Sequence, residues 1–515
     1  MLNESRSKNF IRNTSFGIGT QIVQTILPFI SRTIFIHQLG ASYLGIGGLF
    51  TSILSVLSLA DLGLGSVVIY SLYKPVAEND NVKIASLIKF YKKIYNYIAG
   101  IVLVIGVALL PFLGFMINLP EELPHVRFYY ILYVLNSSIS YLYVYKTSLI
   151  RANQKNYIIS LYTTVCNVLM NAVQIIGLII VPNFTIYLVI QVAFTFIQNF
   201  LLSRRAEKMY QGQLMSKTFE NSVEIESTEK RKIFSDAKAM LSYKVGGVLL
   251  NSIDSILISA LVSTITVGFY SNYLTLENFL NKFINIIYDS FLIGAGNLNA
   301  VATDKKKKQI FDVFRMVFNS IAIIGTVGIL VVCNDLIILW LGNDYLIDFS
   351  AMVAFAFKFF LPIVLYPVWI YRNTTGLFKE TQNILFYTGI LNLFLSIVLG
   401  KLFGLTGILA ATVIARILTS FWFEPVILYR KRFSTESSSF EYFRDVIMSV
   451  LLIFLSVFFI EFFIRCINAD RIVIIAVKVL LCVTVPVFFL VLYYRNTDAF
   501  NYVVVHIQSR VNNDK

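Results

Sequence analysis

The sequence predicts an all-α integral membrane protein of about fourteen transmembrane helices, and three observations carry that expectation. Of its 515 residues, 57% are hydrophobic and 14% are charged. Soluble globular chains run nearer to about 45–50% apolar and about 25% charged. Apolar stretches of at least about 18 residues, long enough to cross a bilayer, recur from end to end. Lysine and arginine fall in alternate connecting segments, the pattern that membrane topology imposes. Together these exclude a soluble enzyme, a disordered chain and a nucleic-acid-binding domain. The net charge of +14 therefore need not report an acidic partner.

Taken in order, helices are expected near 12–36, 43–72, 90–117, 127–149, 157–181, 184–203, 236–262, 266–297, 309–332, 348–371, 381–400, 405–429, 446–464 and 472–493. Turn-forming residues stand between them: Pro120 and Pro124, Pro182 with Asn183, Gly342 with Asn343, and Gly404. An even number of spans puts both termini on one side. With the N-terminus inside, inner segments and the helix ends adjoining them hold 31 of the 43 lysines and arginines, outer segments with their adjoining helix ends hold 4, and the other 8 lie within spans. That bias predicts cytoplasmic termini in a plasma membrane. The polar N-terminal run MLNESRSKNFIRNTSFG has no cleavage-site pattern after it, so the first helix is expected to be retained. The run Lys305–Lys308 is expected to be a solvated anchor near anionic lipid.

The longest inner segment, 204–235, follows the sixth helix. It divides the chain into a six-helix bundle (1–204), a linker (205–235), a second six-helix bundle (236–430) and two further helices with a tail (431–515). The halves are alike in sequence. Arg32 precedes TIFIHQLGASYLG, ending at Gly45, and Asp254 precedes SILISALVSTITVG, ending at Gly268. A duplicated six-helix unit with substrate held between the copies is a common transporter plan.

Polar residues form rows on four helices. At about 100° per residue, helix one places Asn13, Gly17, Gln21, Gln24, Pro28, Ser31 and Arg32 on one face. Helix seven does so with Lys244, Gly247, Asn251, Asp254 and Ser255. Helix eight stacks Glu277, Asn278, Asn281, Lys282, Asn285 and Asp289, and helix two is milder with Thr51, Ser55, Ser58 and, at the margin, Asp61. Such groups facing hydrocarbon cost several kcal/mol each, so the rows must meet protein or water. Candidate substrate contacts are Arg32, Lys244, Lys282, Gln21, Gln24, Asn251, Asn281 and Asn285. Candidate ion-coupling groups are Asp254, Glu277, Asp289 and Asp61.

Each candidate has a structural alternative. Arg32 could snorkel to the outer interface, and Lys282 could bridge to Asp289. Asp254 and Glu277 could pair with Arg32 or Lys244. Asp61 could bond a neighbouring backbone, and Lys244 could anchor at the inner interface. Arg416, Lys358, Glu424, Glu461 and Lys478 lie outside the rows and read as structural. Four cysteines and three histidines without ligand spacing give no disulfide framework, no metal site and no expected cofactor.

The run ISRTIFIHQLGASYLGIGGLFTSILSVLSLADLGLGSVVIYSLYKPVAEND resembles the first two helices of bacterial polysaccharide flippases. These form the polysaccharide transport family of the multidrug/oligosaccharidyl-lipid/polysaccharide (MOP) exporter superfamily. NSIDSILISALVSTITVGFYSNYLTL and KTSLIRANQKNYI are similar to that family too. The resemblance implies a V-shaped, MATE-like fold that opens alternately to each side of the membrane. It implies transport of undecaprenyl-diphosphate-linked O-antigen, capsule or exopolysaccharide repeat units from the inner to the outer leaflet. A polymerase and a chain-length regulator would then act in the same pathway, and H+ or Na+ could be coupled. Related peptidoglycan-precursor flippases carry several diphosphate-binding arginines in helix one, and two added helices that hold the lipid tail. Here Arg32 stands alone in that region, which favours the polysaccharide branch.

Three other readings remain in the sequence, of which a membrane scaffold without transport leaves the polar rows unexplained. A multidrug/cation antiporter of the same superfamily would want an anionic cavity, whereas these rows are mixed. A membrane polymerase or glycosyltransferase would need catalytic groups outside, and the outer segment CNDLIILWLGNDYL offers only Asp335 and Asp344.

Overall fold

The computed structural model describes residues 6–513 apart from 62, 121–122, 215–224, 302, 382 and 434–437. All fourteen expected spans are helical, and no strand occurs among the described residues. Ten stretches are long and apolar enough to cross a membrane; one of them, Ile384–Arg432, contains helices eleven and twelve in succession. Helix eight (Thr264–Val301) is not among them, because its polar row lowers its hydropathy.

By packing the chain divides into two compact units, Met1–Gly268 and Phe269–Lys515. In the first, helix one (Arg6–Leu39) packs along helix five (Asn156–Ile180), five along six (Phe184–Met209), and helix three (Asn81–Ala108) along helix four. Helix four is interrupted, Val126–Tyr141 being followed by Val144–Ala152. An apolar core of this unit includes Leu64, Val68, Leu87, Tyr91, Leu149 and Ile233. At the start of helix six, buried Phe184 contacts the rings of Phe35, Tyr43 and Tyr129.

Helix two is not one rod. Ala41–Leu57 passes into a 3-10 turn, Ser58–Asp61, and the helix restarts at Leu64–Glu78. The cause is local: Gly63 adopts a left-handed φ of 73°, and the Asp61 carboxylate accepts its N–H at 2.8 Å, a turn that competes with helix. Helix seven is also in two pieces, Ser227–Asn251 and Ile253–Leu261, and its second piece packs on helix two.

The duplicated glycines meet. A Cβ on Gly268 would lie 2.8 Å from the Ala41 carbonyl and 3.2 Å from the Gly45 nitrogen, and one on Gly45 would overlap the Thr264 carbonyl. The helix starts therefore cross backbone to backbone, as small residues permit in membranes. The end of helix three fixes the crossing. Asn118 and Thr264 exchange two 2.8 Å hydrogen bonds, and Ser259 donates to Met116 O at 2.6 Å.

In the second unit, helix nine (Asp304–Leu341) is the hub. Helix ten (Phe349–Thr375), helix thirteen (Phe440–Arg465) and helix fourteen (Arg471–Tyr494) all pack on it. The chain leaves helix at Gly404, between helices eleven and twelve, as expected. A further helix absent from the sequence reading, Asp498–Asn513, also packs on helix nine, with Lys306 Nζ 4.1 Å from the Tyr502 ring centroid.

Two expectations need correction. Helix nine continues to Leu341, so most of CNDLIILWLGNDYL is helix, and Asp335 pairs with Lys478 at 2.7 Å. Lys308 is not solvated: it is buried and bonds Asp312 at 2.6 Å and Glu441 at 3.3 Å. Starting the helix at Asp304 turns this fourth lysine inward.

The glycine crossing predicts a stability effect. Gly45→Ala or Gly268→Ala should each cost about 1–3 kcal/mol by overpacking, lowering the melting temperature of the purified protein. Gly100→Ala, which meets open space, should leave it unchanged.

Candidate functional site

Most charges within the spans are consumed by structure. Arg372 and Glu424, on helices ten and twelve, pair at 3.3 Å with side chains 8% and 2% exposed. Trp369 donates its indole N–H to the same carboxylate, and Arg416 lies beside it. Lys358 is buried and donates to the Tyr270 hydroxyl at 2.7 Å. Lys478 bridges Asp335 and, at 3.7 Å, Glu461. Arg315 joins Asp445 at 3.1 Å, Asp312 at 3.2 Å and the Tyr429 hydroxyl at 2.8 Å, while Tyr493 donates to Asp445 at 2.8 Å. This cluster holds helices twelve, thirteen and fourteen to the N-terminal part of helix nine. Buried charges need such partners because desolvation exceeds what one Coulombic contact returns.

In the first unit, Lys244 and Asp61 come together at the break in helix two. The Lys244 ammonium contacts the Asp61 carboxylate and donates to Ser58 O at 2.7 Å. Ser58 lies in the 3-10 turn at the break, so this bond ties helix seven to the interrupted backbone of helix two. Both side chains remain partly accessible, at 27% and 21%. Gln24 donates to Thr164 Oγ1 at 2.7 Å, joining helix one to helix five. Gln21 and Arg32 are half-buried. Tyr187 of helix six lies beside Arg32 and shares a hydrogen bond with Ser31. Asp254 is fully buried and Asn251 is exposed, its amide donating to Gly247 O at 2.9 Å. The surroundings of Asn13 and Gly17 on helix one lie outside what is described.

In the second unit, the candidates on helix eight form a graded arc. Glu277, Asn281 and Lys282 are half-buried, and Asn281 donates to Glu277 at 3.3 Å. Asn278, Asn285 and Asp289 are exposed. Beside this arc runs a second exposed face, apolar, with Phe279, Phe283, Ile286 and Ile293. In a bilayer the apolar face suits lipid. Exposed amides and a carboxylate do not, so the polar arc must meet water or a polar ligand.

Sequence reading missed Thr164 and Tyr187, which complete the surroundings of Gln24 and Arg32; it named Ser58 on the helix-two row but not its contact with Lys244. Thr164 and Tyr187 are ordinary polar residues within apolar spans, and only the packing of distant helices singles them out. Among the described residues no group of His, Cys, Asp and Glu could hold a metal ion.

Two expectations separate structural from accessible charge. Arg315→Met should cost about 3–5 kcal/mol by stranding buried Asp445, read as a loss of folded protein. For Lys244→Gln and Asp61→Asn, a double-mutant cycle in thermal stability should give a coupling of about 0.5–2 kcal/mol. A coupling near zero would mean that the two groups act independently.

No family model and no curated protein matches this sequence. Solved structures do. The lipid II flippase MurJ in an inward closed conformation aligns with a TM-score of 0.64 at 14% identity, covering 94% of this chain and 99% of its own. An inward-facing MATE multidrug resistance transporter of the MOP superfamily aligns at 0.62 and 12% identity, covering 80% of this chain and 96% of its own. The Vibrio cholerae MATE transporter VcmN aligns at 0.54 and 14% identity, over 84% of this chain and 99% of its own. At such identities the likeness concerns the fold: this chain is an all-α integral membrane protein with the fold of the MOP transporters.

Proposed function

We propose that this chain flips undecaprenyl-diphosphate-linked oligosaccharide repeat units from the inner to the outer leaflet of a bacterial plasma membrane by alternating access. The observation that carries the reading is the exposed polar arc of helix eight beside a lipid-suited apolar face. A helix so divided lines an aqueous path, which a scaffold has no use for. The extent of the MurJ likeness, 94% of the chain against 80% for the MATE transporter, favours a lipid-linked substrate over a drug.

The chemistry follows from the groups present. A diphosphate carries about two negative charges at neutral pH and needs cations where water is scarce, since Coulombic attraction strengthens there. Arg32, Lys244 and Lys282 supply them. Gln21, Gln24, Asn251, Asn281 and Asn285 offer amide donors and acceptors to sugar hydroxyls, while the polyprenyl tail stays in lipid. Lys244 is held by Asp61 before substrate arrives, so the incoming anion competes with that carboxylate. Displacing it frees Ser58 O and Asp61 at the break in helix two, which couples binding to bending of that helix. Protonation or Na+ binding at Asp61, Asp254, Glu277 or Asp289 would bias the two states. The two sequence halves, 1–204 and 236–430, act as the two bundles, and 431–515 supplies the added helices. A polymerase and a chain-length regulator take the product on the outer side.

Deleting the gene should cause complete lipid-linked repeat units to accumulate in the cytoplasmic leaflet. Unchanged glycan with altered drug sensitivity would replace this reading with a drug antiporter. Arg32→Glu and Lys282→Glu should each abolish export at normal protein levels, measured by leaflet-resolved analysis of the lipid-linked oligosaccharide. Normal export by both would remove them from the site.

A further inference from the structure

In the first unit a cleft of about 660 Å³ opens between the later part of helix two and the start of helix seven. Tyr70 and Tyr73 line it, 72% and 48% exposed. Their ring centroids are 6.5 Å apart and the rings stand nearly perpendicular. The backing is firm: Ser71, between them in sequence, hydrogen-bonds the buried Tyr91 hydroxyl at 2.6 Å, and Lys83 pairs with Glu229 between helices three and seven.

Its depth follows from its charges. Lys74, Glu78, Asp80, Lys83, Glu229 and Lys232 line it together with the two tyrosines, a density of charge that hydrocarbon does not admit. With the cations on the inner side, as their distribution along the sequence predicts, the two rings stand at the inner headgroup level, where the sugars of a lipid-linked glycan would be.

The charge balance selects the ligand. Lys74, Lys83 and Lys232 face Glu78, Asp80 and Glu229 around the cleft, so it carries no net charge to favour a free phosphate or diphosphate. Two exposed aromatic rings ringed by carboxylates and ammonium groups suit a polyol instead. The C–H face of a pyranose packs on a ring while its hydroxyls bond the charged groups. We infer that this cleft holds the sugar residues of the oligosaccharide on the cytoplasmic side, before the diphosphate reaches Lys244 and Lys282. The inference rests on the proposed transport of a lipid-linked oligosaccharide.

The test is photo-crosslinking in the producing bacterium. The full-length protein carries p-benzoylphenylalanine in place of Tyr70, of Tyr73 or, as a control on helix five, of the exposed Ile179. Adducts with sugar-series masses are expected at 70 and 73 and not at 179. They should vanish in a strain that cannot place the first sugar on undecaprenyl phosphate. Phospholipid adducts alone at 70 and 73 would overturn the inference and make the tyrosines interfacial anchors. Tyr70→Ala combined with Tyr73→Ala should slow export about tenfold, the equivalent of about 1.4 kcal/mol, and the paired Phe variant should restore most of it. Full-rate export by the paired Ala variant would equally overturn it. Failure of the parent reading looks different: gene deletion would then leave the leaflet distribution of repeat units unchanged.

Discussion

Hydrocarbon solvates neither an ammonium nor a carboxylate, and that constraint organises this molecule. Every charge within a span must find a partner or reach water. Where a partner exists the charge becomes structural, as with Arg372 and Glu424, whose side chains are 8% and 2% exposed. Arg315 gathers two carboxylates and a tyrosine hydroxyl near the start of helix nine, while Lys478 pairs with Asp335 farther along the same helix. Helices thirteen and fourteen are thus joined to it by charge as well as by apolar packing. What remains exposed, chiefly the arc of Asn278, Asn285 and Asp289, marks where water or a polar ligand must be.

The break in helix two extends this logic to the backbone. A 3-10 turn ending at Asp61, with Gly63 in the left-handed region, interrupts a long helix. Lys244, from a distant part of the chain, donates to Ser58 O and pairs with the Asp61 carboxylate. The partial accessibility of this pair distinguishes it from the buried pairs of the second unit.

The repeat and the packing describe different boundaries. The likeness of the segments ending at Gly45 and Gly268 suggests a repeat boundary before helix seven, whereas the compact units divide just after Gly268. Helix seven stays with the first unit because its second piece, Ile253–Leu261, packs on helix two and Asn118 bonds the carbonyl of Val262 just beyond it. The glycines matched as repeat markers prove to be the point where two helix starts touch.

By itself the sequence determined the helical class, the number and order of spans, and the polar rows. These follow from hydropathy and from a period of about 3.6 residues, which are local properties that neighbours along the chain reveal. The break in helix two escaped that reading because its apolar run, 43–72, is continuous in hydropathy although Gly63 bends it. Lys308 was misplaced because composition cannot tell which lysine of a run turns inward. Only the tertiary structure decided which charges are spent on each other. Lys244 with Asp61, Arg372 with Glu424 and Arg315 with Asp445 each join residues far apart in sequence. A charge's role depends on what lies within a few ångströms of it, and that is a property of the packed helices.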